Sequence, residues 1–413
     1  MAIDRKAIKT IQDNLSKKVL AGVKRAAEII VKTKEKGGKV SAVIGSGPNL
    51  HEGVTTLIAE LMHKGIIDGV STSSAVINHE MAGTLEKVKR IDGVSLGFDN
   101  TRLPSDGRVE VTILSRGMLR EFEKIVEIDE NLYRRMRRAK GDIIIKVAGN
   151  MAYPSGLYTE RMARDVLALS RKEGTSFESM AGLGADHLTM IGAGAALNLP
   201  VLVTVPQLVG GGEVGLCIGD SLSISERCRR VADLLEESDI IIESAIALSQ
   251  EVHDGPFERF TGHGIWADWE GIRTFSLADK KIIRIDLDPN LEKAWWYEQR
   301  SKSISNAVQK GLPKTKDLKI PFRMEMSGFA RIPGSLPIVA DIGDIWPLLA
   351  TRVADLLGVK LDFMCYNQST SAGKKIREWI VKHVRPIKKE CMIKSLSQLK
   401  ENALSKFNPE PPK

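Results

Sequence analysis

The sequence predicts an α/β fold, a mostly parallel sheet with helices on both faces. Short apolar, β-branched runs recur along the chain and end in glycine or polar turn residues: Val40–Ile44, 142–147, 201–205, 239–243, Lys281–Asp286 and Leu336–Val339. Stretches of helical period separate most of them. Strand and helix alternate at the spacing that crossover connections need, which is the pattern of a doubly wound parallel sheet.

From the N-terminus, residues 4–36 place Ile8, Ile11, Leu15, Val19, Val23, Ala27 and Ile30 among lysines and arginines. That spacing predicts one or two amphipathic helices covering a sheet edge or an oligomer contact. Gly37-Gly38 ends them. The run Val40–Ile44 stops at Gly45, and Gly45-Ser46-Gly47-Pro48-Asn49 forms a turn with Pro48 placed for a first helical turn. Val54, Leu57, Ile58, Leu61 and Met62 then trace the apolar stripe of a helix packed on a sheet, stopped by Gly65. A second strand begins over 66–70 and ends in Ser71-Thr72-Ser73-Ser74. In such a βαβ unit ligands bind at the carboxyl ends of the strands, where loops 45–53 and 71–80 lie.

Helix is expected to continue over 81–88, followed by a strand at 109–114, a charged helix over 118–138 and a short buried strand at 142–147. Helices are expected at 160–172, 187–197, 225–237 and 345–357. Residues 206–212 read as a glycine loop, and 301–335 as a long excursion without periodicity. This gives an N-terminal helical segment (1–38), one domain (39–387) with an excursion at 290–335, and a basic tail (388–413) disordered towards its end.

Hydrophobic residues make up 43% and charged residues 27% of the 413, the balance of a globular protein. No apolar run approaches the length of a membrane span, and the N-terminus lacks a signal-peptide core, so a cytoplasmic location is expected. The four cysteines form no CxxC pair, which argues against a zinc ribbon or a disulfide framework. The net charge of +8 is partly local, at 134–140 and after Lys374, and no nucleic-acid-binding motif accompanies it. It reads as a solvated basic surface.

Several residue clusters carry possible chemistry. Gly45-Ser46-Gly47 resembles a phosphate turn, although Leu50 stands where a third glycine would, and no acid ends the second strand. A plain βα turn is the alternative. His79-Glu80, just past a strand end, pairs an imidazole with a carboxylate suited to acid–base work near neutral pH. Asp186-His187 precedes a helix, where Asp186 either caps or acts. Gly210-Gly211-Gly212-Glu213 follows an apolar strand; the glycines imply close ligand approach, with Glu213 as an anchor for a cationic amine, or else a surface loop. His253, His263 and their polar, aromatic neighbours form a loop without metal-site spacing, and no metal is expected.

Three stretches together resemble the deoxyhypusine synthase superfamily. Pro48-Asn49-Leu50 and Thr72-Ser73-Ser74-Ala75-Val76-Ile77-Asn78-His79-Glu80 stand where that family carries a Ser-Asn-Leu loop and a Thr-Thr-Ala-Gly-Gly-Ile strand end followed by acids. Residues 186–215 are similar to its helix, Asn-x-Pro-Val strand and substrate loop. Residues 340–349 (ADIGDIWPLL) are similar to its closing strand–helix element. Residues 281–290 also resemble the related NAD-binding domain of ornithine cyclodeaminase-type proteins of archaea and cyanobacteria.

The resemblance implies a Rossmann-like fold, NAD bound near a subunit interface, and a homotetramer. By position, Asn49 and Thr72-Ser73-Ser74 would contact NAD, and Asp341 its ribose or adenine side. The phosphate turn Gly45-Ser46-Gly47 completes the cofactor set. The family's imine-forming lysine has no counterpart, because 243–251 reads ESAIALSQE. The substrate-loop acid falls on Gly210. The expected function is NAD-dependent hydride transfer on a small polar amine or amino-acid-like substrate without a lysine imine. His79 or His187 would move a proton, and Glu80 or Glu213 would anchor substrate. The alternatives are a lyase or transferase that uses NAD without net redox, and a non-catalytic ligand-binding protein.

Overall fold

The structure is a computed structural model. It describes residues 3–45, 47–149, 151–204, 211–244, 280–286 and 335–407, with isolated positions 206, 208, 296, 300–303, 306 and 310. The chain forms two compact units. One comprises Met1–Ser73, Pro200–Val205 and Ser223–Arg377; the other comprises Ser74–Leu199, Pro206–Leu222 and Glu378–Lys413.

The first unit holds the parallel sheet. Its strands are β1 (Val40–Ile44), β2 (Gly69–Thr72), β6 (Val201–Val203), β7 (Ile240–Ser244), β8 (Lys281–Asp286) and β9 (Leu336–Val339). Their order is β6-β2-β1-β7-β8-β9, and every neighbouring pair is parallel. Counted along the chain within this sheet, that order is 3-2-1-4-5-6, the doubly wound arrangement whose direction of growth reverses between the first and fourth strands. Here the reversal falls between β1 and β7.

Strands in such a sheet are apolar on both sides because helices cover both faces. On one face Val43, Leu202, Ile241 and Ile282 pack with Val231, Ala232, Leu234 and Leu235 of the helix Ile224–Glu236. On the other face lies the amphipathic helix Lys17–Glu35, where a Cβ added at Gly22 would stand 3.4 Å from Ile338 of β9. The expected amphipathic N-terminal segment is two helices, Arg5–Asn14 and Lys17–Glu35, capped by Asp4 and Ser16.

The second unit departs from the expected alternation. It contains a three-stranded antiparallel sheet, β4-β3-β5, built from β3 (Leu85–Asp92), β4 (Arg108–Thr112) and β5 (Gly141–Val147). The helix expected over 81–88 ends at Met81 instead. Thr84 then takes a φ of 66°, and the chain turns into β3. Residues 142–147, expected as a buried strand of the parallel sheet, form an edge strand here and leave Ile143 half exposed. The single helix expected over 118–138 is two, Arg116–Glu123 and Glu130–Arg138; the second packs Tyr133 and Met136 on Ile91 and Val111.

The glycine loop also stops early, because Gly212–Ser221 is helix and packs on Ser155–Glu173 and Ser74–Met81. The tail is helical over Lys389–Phe407. Most of the excursion 290–335, the loop with His253 and His263, Ser46, Gly210 and residues 408–413 lie outside the described residues. Among the described residues, no helix is long and apolar enough to cross a membrane.

Candidate functional site

At the reversal point of the parallel sheet, a buried polar web ties the carboxyl ends of three strands together. Gly45 N donates to the Ser244 carbonyl at 3.0 Å. Asn49 is fully buried: Nδ2 donates to the carbonyls of Gly45 and Ser244, both at 3.1 Å, and Oδ1 accepts from Ser244 Oγ at 2.5 Å. Trp346 Nε1 donates to Ser244 Oγ at 2.9 Å. Thr72 Oγ1 donates to the Ile44 carbonyl at 2.8 Å. The turn after β1 is thereby fixed against β2 and β7. Among the described residues, a Cβ placed on Gly47 would meet nothing within 4 Å.

An acidic group lies in the same unit. Asp341 caps the helix Ile342–Leu357, with Oδ1 accepting from Gly343 N at 2.8 Å. Glu52, in the loop after β1, accepts from Gln368 N. Burial pushes its carboxyl up to about 7, and the charges of Asp341 and Asp344 push the same way. Burial also raises Asp344. Burial lowers the Arg377 guanidinium, which faces the Glu52 charge. Gly343 makes this packing possible: an added Cβ would lie 2.6 Å from Glu52 Oε2 and 2.7 Å from Asn367 Cα. Gly343→Ala is therefore expected to cost about 1–3 kcal/mol, measured by denaturant unfolding.

The acid–base candidates belong to the second unit. His79 and Glu80 sit on the helix Ser74–Met81, which Ser74 opens. His79 Nδ1 contacts the Ala148 carbonyl, an acceptor only, so the neutral ring holds its proton on Nδ1. Glu80 is fully buried and accepts from Met190 N at 2.8 Å and Ile191 N at 3.1 Å. It therefore closes the N-terminus of the helix Met190–Leu197. Burial raises its carboxyl to about 7 against those two bonds.

His187 projects outwards with its side chain 72% exposed, 3.4 Å from Asp186. Asp186 itself accepts from Leu188 N and Arg385 N, and Thr189 is the cap of the following helix. Glu213 stands in the first turn of Gly212–Ser221 and pairs with Arg164 at 2.8 Å. Thus Gly45, Asn49 and Thr72 are brought together, as are Asp341 and Glu52. Glu80 and Glu213 are engaged at separate helix starts.

Residues with no catalytic or binding role expected from the sequence stand beside His79. Asn78 is 1% exposed, and among the described residues neither its Oδ1 nor its Nδ2 has a hydrogen-bond partner. Gly149, at φ 150°, leaves room that a Cβ would fill within 3.0 Å of His79 Nδ1 and 3.2 Å of Asn78 Nδ2. Glu86 is buried beside it, accepting from Thr112 Oγ1 at 2.7 Å, and burial pushes it up to about 7. Thr84, with its left-handed φ, is also buried, and among the described residues its Oγ1 lacks a partner. Buried polar atoms are rarely left unpaired, and strained backbone concentrates at functional sites, so this knot ranks with the sheet edge as a candidate. Among the described residues, no group of three or more His, Cys, Asp or Glu is arranged to hold a metal ion.

The sheet order and the fixed turn at its reversal define the class: a doubly wound α/β protein whose order reverses between β1 and β7. No protein-family model matches the chain, and no curated protein matches it. Among solved structures it is similar to a mutant of AgrE in complex with L-arginine, at 14% identity and a TM-score of 0.39, over 86% of this chain and 34% of that one. It is similar to AgrE in ternary complex with ornithine and NAD+, at 13% identity and a TM-score of 0.40, over 84% and 34%. A conserved LOR/SDH protein from Methanococcus maripaludis S2 matches at 12% identity and a TM-score of 0.41, over 83% and 71%. The chain spans about a third of the length of AgrE.

Proposed function

We propose that this chain is an NAD-dependent enzyme that acts by hydride transfer on a small polar amine or amino-acid-like substrate. In this reading it is related in fold to deoxyhypusine synthase but works without a lysine imine. The observation that supports it is the 3-2-1-4-5-6 strand order, with its reversal at β1 and β7, where dinucleotides bind in sheets of this order. The residues present fit a dinucleotide. Gly45 and Gly47 flank the turn after β1, Asn49 and Thr72 hold that turn in place, Ser73 follows β2, and Asp341 offers a carboxylate for ribose hydroxyls.

When bound, the nicotinamide accepts or returns hydride. The chain's own part is proton handling and anchoring. His79, its ring held through Nδ1 to the Ala148 carbonyl, is assigned the proton transfer. Glu213, already paired with Arg164, is the anchor for a cationic group. The same reading carries a homotetramer, to be checked by light scattering.

Mass spectrometry of small molecules released on denaturing the purified protein is the first test, followed by calorimetry with NAD+ and NADH. Stoichiometric NAD supports the proposal; no release and no saturable binding overturn it. His79→Asn is then expected to lower turnover by about 10²-fold or more while leaving NAD affinity unchanged. Turnover close to that of the parent chain would remove His79 from the assignment.

A further inference from the structure

The second unit contains a cavity of about 340 Å³ beside the helix Arg116–Glu123. Its volume lies at the lower end of the range of small-molecule sites, about 300–1,000 Å³. Its floor is aromatic and rigid. Phe122 and Tyr158 stack with ring centroids 4.0 Å apart and planes 9° from parallel. The Tyr158 hydroxyl donates to the Ile387 carbonyl at 2.6 Å, so its ring, not its hydroxyl, is what the cavity receives. Met118 and Pro386 add apolar walls.

Two cations complete the lining, Arg385 and Lys388. Both are exposed, and among the described residues neither has a carboxylate within ion-pair distance. The contact made by the Arg385 guanidinium is a long one, from Nη1 to the Met118 sulfur at 3.8 Å. Their backbone is nevertheless fixed. Arg385 N donates to Asp186 Oδ2 at 3.0 Å, Ile387 N to the Met81 carbonyl at 2.8 Å, and Lys388 N to the Gly184 carbonyl at 2.9 Å. The acid in the wall, Glu121, is held by Lys124 at 2.9 Å, which keeps its carboxyl below the usual range.

The geometry points to a binding site for a small amphipathic monocarboxylate, its apolar part on the Phe122–Tyr158 stack and its carboxylate between Arg385 and Lys388. Two cations on a pinned segment recognise an anion at low ordering cost. The ionised Glu121 in the same wall disfavours a dianion such as a phosphate monoester. Nothing in this assignment depends on NAD or on hydride transfer.

The test uses the full chain and three probes of one shape, 3-phenylpropionate, 3-phenylpropionamide and phenyl phosphate, titrated by calorimetry with ligand-observed NMR. Saturable binding of 3-phenylpropionate is expected, about tenfold tighter than the neutral amide and tighter than the phosphate. Arg385→Gln and Lys388→Gln, each shown to be folded by circular dichroism, are each expected to weaken it about tenfold. Equal binding of acid and amide would leave only an apolar cleft and overturn the proposal. Unchanged affinity in both variants, preference for the phosphate, or no saturable binding would overturn it as well.

Discussion

Arg284→Ala is expected to cost about 3–5 kcal/mol of folding stability, the largest single effect in the parallel sheet. Arg284 on β8 and Glu243 on β7 are registered neighbours, 2% and 1% exposed, with Nε and Oε2 3.4 Å apart. Removing the guanidinium leaves a carboxylate with almost no access to water. Charge, rather than volume, dominates that cost. The double replacement Glu243→Leu with Arg284→Met is therefore expected to recover most of the loss. Denaturant midpoints at constant slope measure both. A double variant as unstable as Arg284→Ala would show that packing, not loss of the ion pair, sets the effect.

The second large effect is on pH dependence. Glu52, Glu80 and Glu86 all have carboxyls pushed from the ordinary 4.5 to about 7 by burial. Between those values the folded chain holds more protons than the unfolded chain. Their contribution to stability is therefore full below about 4.5, falls as pH rises to about 7, and is flat above that. Urea midpoints are expected to drop from about pH 5 to about pH 7.5, against the usual trend for salt-bridged acids. In Glu86→Gln the drop should be smaller, because the amide keeps a group there without the proton equilibrium. An identical drop in that variant would show that Glu86 titrates normally in the folded state.

The parallel sheet was readable from the sequence because its strands carry their own signal. Runs such as Val40–Ile44 and Ile240–Ser244 are buried throughout and need no partner to be recognised. The antiparallel sheet was not readable. Its central strand, LEKVKRID, mixes five charged residues with apolar ones at a period that suits helix as well as strand. Only its pairing with Arg108–Thr112 and Gly141–Val147 decides the matter, and that information lies elsewhere in the chain.

The same limit applies to function. Loops 45–53 and 71–80 were visible as turn chemistry, whereas Asp341 was marked only by the resemblance of residues 340–349, and its capping role is seen in the fold. Ser244 and Trp346 join the turn through contacts across 195 and 102 residues, respectively. The bonds of Glu80 to Met190 and Ile191 span a similar distance, so a carboxylate beside a histidine looked like catalytic chemistry while it closes a remote helix. Glu86 carried no local mark at all, and Asn78 none beyond its place in the stretch that resembles the family. What distinguishes them is burial, a property of the folded chain.

The interleaving of the two units bears on how the chain is made. β1 emerges from the ribosome about 200 residues before β7, its neighbour in the sheet. Until β7 arrives, the Asn49 side chain has no Ser244 to hold, and one edge of β1 is bare. The second unit waits longer still, since Met81, Tyr158 and Gly184 are joined by the backbone of Ile387 and Lys388. Nascent chains stalled short of that segment should therefore present open strand edges and an unbraced second unit to chaperones and proteases, and resistance should appear late and steeply.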